Sequence, residues 1–279
     1  MKSRFLHAPD GSRLHLLSLG SPSAPRQLLV VHGYGEHGGR YVDRLQCFAE
    51  AGYHVLLPDM RGHGLSSGQR GFVRRFETYL QDLDLIRSQA LAPDKPTGVF
   101  GHSNGGLIAL RWLQEGKHKL QAAALTSPLL GIAVKAPAWK VQAGHLLSAR
   151  LPWLSLPSEI LPEHLSHDPR VVADYQQDPR VHHVVNTRWF TEATAAMEQA
   201  FLAGAASIRT PLLLMQAAGD RIVDPSAVER WALAAVPAAP AGLVYESVPD
   251  AFHELLFEVD GAVHASRLLR WFQEHCEGP

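Results

Sequence analysis

Cysteine is almost missing from this chain: Cys47 and Cys276 are the only two in 279 residues. They lack the paired spacing that a disulfide framework or a thiolate zinc site needs. Neither sign of charge is in excess, with 26 lysines and arginines against 27 aspartates and glutamates. Nothing in that balance points to nucleic acid or another polyanion as a partner. No stretch approaches the roughly 18 uninterrupted apolar residues of a membrane span. Met1 to Asp10 lacks the apolar core of a secretory signal. These absences lead to the expectation of a soluble, cytoplasmic protein. The sixteen histidines are scattered, and His182-His183 is the only adjacent pair. His253-Glu254 is followed by Leu255-Leu256-Phe257, so no H-E-x-x-H motif forms and no metal is expected.

What is present is a packed globular composition, 46% apolar and 19% charged. Strand and helix patterns alternate, which predicts an α/β fold with a mainly parallel sheet. Strands are expected at 13–19, 27–31, 54–57, 97–100, 121–126, 211–216 and 243–248. Helices are expected at 41–51, from Phe76 to Leu91, after Gly105, from Asp224-Pro225 onward, and over 254–276. Between Pro128 and Arg209 the rhythm breaks. That interval is far longer than the dozen or so residues a crossover needs. It holds Trp139, Trp153, Trp189 and an apolar run from Leu146 to Leu156. Residues 128–209 therefore read as a helical cap inserted over the sheet, with 1–127 and 210–279 as the core; extra core is the plainer alternative. Asp168-Pro169 and Asp178-Pro179 repeat ten residues apart and read as two helix starts without chemistry.

The chemistry begins at Gly101-His102-Ser103-Asn104-Gly105, between a strand and a helix. This is the G-x-S-x-G elbow, in which a tight turn lifts a serine hydroxyl clear of the sheet and glycines avoid the clashes. A serine hydroxyl needs a base to take its proton and a third group to hold that base. On such a fold the acid and the histidine follow the serine in chain order, each on a loop after a strand. Asp220 follows the strand ending at Gln216, and His253 follows the strand ending at Val248. Asp224, the other candidate acid, precedes Pro225 as a helix cap. Asp250 is a turn residue. The backbone N–H of Asn104 and an N–H from the loop after Val31, assigned to Tyr34, would bind the oxyanion. The same loop offers a rival: Gly33, Gly35 and Gly38 match G-x-G-x-x-G, with Asp59 about twenty residues on, as in a dinucleotide site. Bulky Tyr34 to His37 crowd that backbone, and a nicotinamide site would leave Ser103, Asp220 and His253 without a purpose.

His32 to Tyr41, the stretch from Asp59 to Gly68, the elbow, and Phe252-His253-Glu254 together resemble the monoacylglycerol lipase and lysophospholipase group of serine α/β-hydrolases. The resemblance runs from about Asp10 to the last helix and thins over the cap. It implies an eight-stranded sheet with a mobile cap whose apolar face admits an acyl chain, and it implies no cofactor. It implies Ser103, Asp220 and His253 as the triad, with the N–H groups of Tyr34 and Asn104 as the oxyanion hole. Asp59, Arg61 and His63, like Glu36 and His37, are expected to order loops. The expected activity is that of a serine carboxylester hydrolase on monoacylglycerols or similar small lipid esters, through an acyl-enzyme. The alternatives are an acyltransferase or general esterase on the same residues, or a non-enzymatic hydrolase-fold receptor or scaffold. The partner is a small lipid ester, with transient contact between cap and membrane surface as a further expectation.

Overall fold

Apolar residues two apart along a strand point to the same side of a sheet, so a strand that is apolar throughout must be covered on both sides. The chain follows that rule in the computed structural model, which describes residues 1–133, 144 and 146–276. Eight strands form one sheet: β1 (Lys2–His7), β2 (Arg13–Leu19), β3 (Arg26–Val31), β4 (Tyr53–Pro58), β5 (Thr97–His102), β6 (Ala122–Thr126), β9 (Leu212–Ala217) and β10 (Leu243–Val248). Their order is β1-β2-β4-β3-β5-β6-β9-β10. β2 pairs antiparallel with β1 and β4; all other neighbours are parallel.

The alternation sorts the core into two layers. Leu29, Val31, Ala123, Leu125, Leu212 and Leu214 face α2 (Glu77–Ala90), α3 (Asn104–Gln114) and α6 (Pro225–Ala235). Leu28, Val30, Ala122, Ala124, Leu213 and Met215 face α1 (Gln46–Glu50) and α7 (Gly261–Cys276). The expected strands and the mainly parallel sheet are all present, and β1 is an addition to them.

Several boundaries differ from expectation. The helix expected over 41–51 is a 3-10 turn at Gly38–Tyr41 followed by the short α1. The last helix begins at Gly261 rather than Glu254, after a separate 3-10 turn at Leu255–Phe257. Glu258 causes the break. Its carboxylate turns back to accept the N–H groups of Phe252, at 2.6 Å, and His167, at 2.9 Å, and its backbone is extended.

The insertion between β6 and β9 is not purely helical. It carries α4 (Pro169–Gln177), α5 (Thr187–Ala203) and a two-stranded antiparallel ribbon of β7 (Ser155–Pro157) and β8 (Val184–Asn186). α5 is fixed to the core. Trp189, Ala193, Ala196 and Ala200 belong to the α2–α3 layer, and Gln114 donates to the Ala200 and Gly204 carbonyls. Leu165, Tyr175 and Val181 form a separate small cluster. Asp168 caps α4 as expected, accepting the Arg170 N–H. Asp178 starts no helix; it lies at the end of α4 and closes a turn by accepting the Arg180 N–H at 2.8 Å. Trp139 lies outside the described residues.

Candidate active site

The chain runs from β3 outward to β4 and then crosses back to β5 on the other side of β3. Loops leaving β3 and β5 therefore diverge, and a crevice opens at the carboxyl ends of those two strands. Ser103 stands at that point. Its φ of 54° and ψ of −121° put a side chain where glycine is favoured, a strain of about 1–3 kcal/mol held by its surroundings. The Ser103 N–H donates to the Thr126 carbonyl, and its own carbonyl accepts the N–H groups of Leu107 and Leu129, each at 3.0 Å. The two glycines of the motif are required by space. A Cβ on Gly101 would lie 2.6 Å from the Gly105 carbonyl oxygen, and one on Gly105 would overlap the carbonyls of Val31 and His32.

Ser103 and His253 line the same cavity, with Gly33, Tyr34 and His102 beside them and Tyr175 above from the insertion. Its volume is about 30 Å³, room for about one water. His253 arrives on the loop after β10, preceded by Asp250 in a turn at φ 54°. Its Nδ1–H donates to Asp220 Oδ2 at 2.7 Å, both side chains being buried. A carboxylate can only accept, so the ring proton sits on Nδ1 and Nε2 keeps its lone pair. Burial alone would depress the His253 pKa, but the Asp220 carboxylate outweighs it and holds the imidazole above its usual value. Burial would raise Asp220; His253 and the N–H groups of Ile222 and Val223 outweigh it and keep the carboxyl low. Asp224 is elsewhere, capping α6 through the Ser226 N–H.

The loop after β3 is held from beneath. Glu36 accepts from the Gly33 N–H at 2.6 Å, the Tyr41 hydroxyl at 2.7 Å and Arg40 at 2.6 Å. Arg40 also grips Glu254 with both terminal nitrogens, at 2.6 and 2.8 Å. One buried cation thus faces two buried carboxylates. Burial works against both; Arg40 prevails at Glu36 and keeps it ionised, whereas burial prevails at Glu254 and lifts its pKa. Burial pushes His102 down to about 3, so this ring, 4.7 Å from His253 between centroids, is neutral.

Known proteins now bear on the chain. A model of the serine aminopeptidase S33 family matches residues 22–260. The chain belongs to that family. It is 31% identical to the monoacylglycerol lipase of Mycolicibacterium smegmatis, over 90% of this chain and 89% of that one. It is 30% identical to phospholipase YtpA of Bacillus subtilis, over 73% and 79%. An uncharacterized abhydrolase domain-containing protein of Dictyostelium discoideum is 33% identical, and the chain spans 26% of its length. The crystal structure of Paleococcus ferrophilus monoacylglycerol lipase superposes with a TM-score of 0.85 at 28% identity, covering 94% of this chain and 99% of that one. The fold is accordingly that of an α/β-hydrolase, and the S33 member is a serine hydrolase with lipases among its relatives.

In this S33 hydrolase the residues of the rival dinucleotide reading have other partners. The Gly33 N–H is taken by Glu36. Asp59 accepts the N–H groups of Gly38 and Leu65 and the His15 ring, each at 2.9 Å, which ties three segments together. Arg61 is bidentate to Asp82, His63 Nδ1–H donates to the Arg61 carbonyl, and His37 Nε2–H donates to Asp178 on the insertion. Glu36, His102 and Glu254 bring ligand-type atoms within 4.8 Å of one another. A cation there would have to displace the Arg40 guanidinium. Among the described residues no helix is long and apolar enough to cross a membrane.

Sequence reasoning missed the Arg40–Glu254 clamp, the Gln216 amide donating to Asp220 at 3.2 Å, and the Ser127 hydroxyl donating to the His253 carbonyl at 3.0 Å. Glu36 lies on the loop before the 3-10 turn that holds Arg40, so no helical spacing in the sequence signals the clamp.

Proposed function

We propose that the chain is a serine carboxylester hydrolase that cleaves monoacylglycerols or similar small lipid esters through an acyl-enzyme. The observation that carries this reading is the buried His253–Asp220 bond, with the imidazole opening onto the cavity that Ser103 lines. Ser103 Oγ attacks the ester carbonyl as His253 Nε2 takes its proton. Asp220 holds the tautomer and stabilises the imidazolium. The N–H groups of Asn104 and Tyr34 receive the oxyanion: the first opens α3, and the second belongs to the loop that Glu36 ties down through Gly33. His253 then protonates the departing glycerol and activates water to release the fatty acid. The substrate class draws support from the lipase names of the relatives at Mycolicibacterium smegmatis and Paleococcus ferrophilus.

Residues 128–209 serve in this reading as a lid. Leu165 and Tyr175 of the insertion line the cavity of about 30 Å³ beside Ser103, so lifting the segment that carries them would widen the way in for an acyl chain. Within the insertion α5 packs on the core through Trp189, Ala193 and Ala196, so in this reading the part that moves is the segment before α5. Leu146, Leu151, Trp153, Leu156 and Leu161 are exposed on the insertion, which suits transient contact with a lipid surface.

The test is hydrolysis of 1-monoolein by Ser103→Ala. The variant should keep its thermal stability and lose activity by about 10⁴-fold or more. Retention of more than a tenth of the activity would overturn the mechanism. Full loss on p-nitrophenyl butyrate with no wild-type activity on 1-monoolein would keep the mechanism and reject the substrate class.

A further inference from the structure

We propose that Ser3 is a second nucleophile, activated by His15 and Asp59, which accepts acyl groups from small activated esters. The placement follows from strand register. In the β1–β2 pair Ser3 lies opposite Leu17 and Phe5 opposite His15. Opposed residues share a face, and residues two apart share it too, so Ser3 and His15 are diagonal neighbours on one side of the ribbon. The imidazole is long enough to close that diagonal: His15 Nε2 is 2.9 Å from Ser3 Oγ.

The other ring nitrogen decides the direction of that bond. His15 Nδ1 is 2.9 Å from Asp59 Oδ2. Asp59 is held as an acceptor by the Gly38 and Leu65 N–H groups. The ring proton therefore sits on Nδ1, Nε2 is the acceptor, and the Ser3 hydroxyl donates to it. This is the order of groups that makes an alcohol nucleophilic: hydroxyl to imidazole to carboxylate. The base and its carboxylate are buried, at 3% and 1% exposure, while Ser3 itself is exposed. Phe5 packs against the imidazole at 5.3 Å between centroids and limits its rotation. A hydroxyl in water is thus aimed at a base that is fixed and out of water.

The reaction this supports is simple acyl transfer. Ser3 Oγ bonds to the carbonyl carbon, the bond to the leaving oxygen breaks, and the hydroxyl proton passes to His15 Nε2 and on to the departing oxide or solvent. Ser3 sits on an open strand face, so the donors that fit are small, with good leaving groups, such as aryl acetates. The site is remote in sequence from Ser103 and owes nothing to the function proposed for it.

The test uses the full chain carrying Ser103→Ala, so that no acyl group can pass through the first site. The protein is incubated with p-nitrophenyl acetate, digested and mapped by mass spectrometry, which separates Ser3 from the Met1 amine. Ser23 and Ser88, both exposed, serve as internal references. Ser3 should be acetylated at least about tenfold faster than either reference, and adding His15→Asn should bring it down to their rate. Adding Ser3→Ala should abolish the adduct without altering the melting temperature. Acetylation of Ser3 no faster than of Ser23 and Ser88, or unchanged by His15→Asn, would overturn the proposal.

Discussion

Replacing Asp220 by asparagine changes one atom, and the surroundings dictate how the new side chain must sit. Oδ1 of Asp220 accepts two backbone N–H groups, from Ile222 at 2.9 Å and Val223 at 3.0 Å. Only an oxygen can satisfy both, so the amide nitrogen has to take the place of Oδ2, 2.7 Å from His253 Nδ1. There it donates where the carboxylate accepted. His253 must then move its proton to Nε2, and the ring that should take the Ser103 proton offers one instead. The Gln216 amide keeps its bond to the Ala217 carbonyl, at 2.9 Å, and gives up only its longer one to Oδ2, a loss of about 1 kcal/mol. The fold therefore survives and the tautomer does not. A wrong tautomer at this position is worth about 10⁴ in kcat, or about 5.4 kcal/mol. The assay is turnover of p-nitrophenyl butyrate, with KM close to that of the wild type. Asp224→Asn is the control: it should weaken only a helix cap and leave kcat within a few-fold. An Asp220→Asn enzyme with more than a tenth of wild-type kcat, or an Asp224→Asn enzyme equally damaged, would mean that Asp220 does not set the His253 tautomer.

Two further outcomes follow from the same geometry. Because Asp220 raises the His253 pKa above its usual 6.5, the neutral base is lost as pH falls through a value above 6.5. kcat/KM on a soluble ester should rise with pH with its midpoint above that figure, and a midpoint below it would contradict the pairing. Arg40→Met should leave two buried carboxylates facing each other and cost about 3–5 kcal/mol. Thermal unfolding checks this, and adding Glu254→Gln should recover part of the loss.

The parts of the site that were legible in the sequence are those written locally. Gly101 and Gly105 flank Ser103 because carbonyl groups approach where their Cβ atoms would be, so the need for space leaves a mark in the sequence. Asp220 and His253 are each within a few residues of a strand end, and strand ends are readable from apolar runs. Arg40 and Glu254 were not, since they meet only when the loops after β3 and β10 come together, 214 residues apart. β1 was hidden for another reason: only Leu6 is buried among its six residues, so this edge strand has no apolar alternation to detect. The three-residue strands β7 and β8 are too short to carry a period. The late start of α7 depends on Glu258 reaching back to Phe252 and His167, a choice between tertiary and helical partners that periodicity does not record.

Whether Ser103 is the nucleophile that His253 activates is read from its reaction with a fluorophosphonate, located by peptide mapping of the full chain. A stoichiometric phosphonyl adduct should form on Ser103 within minutes, and none at that residue in a folded His253→Ala variant. A wild-type protein whose Ser103 peptide stays unmodified, or a His253→Ala protein labelled there at the wild-type rate, would contradict that activation.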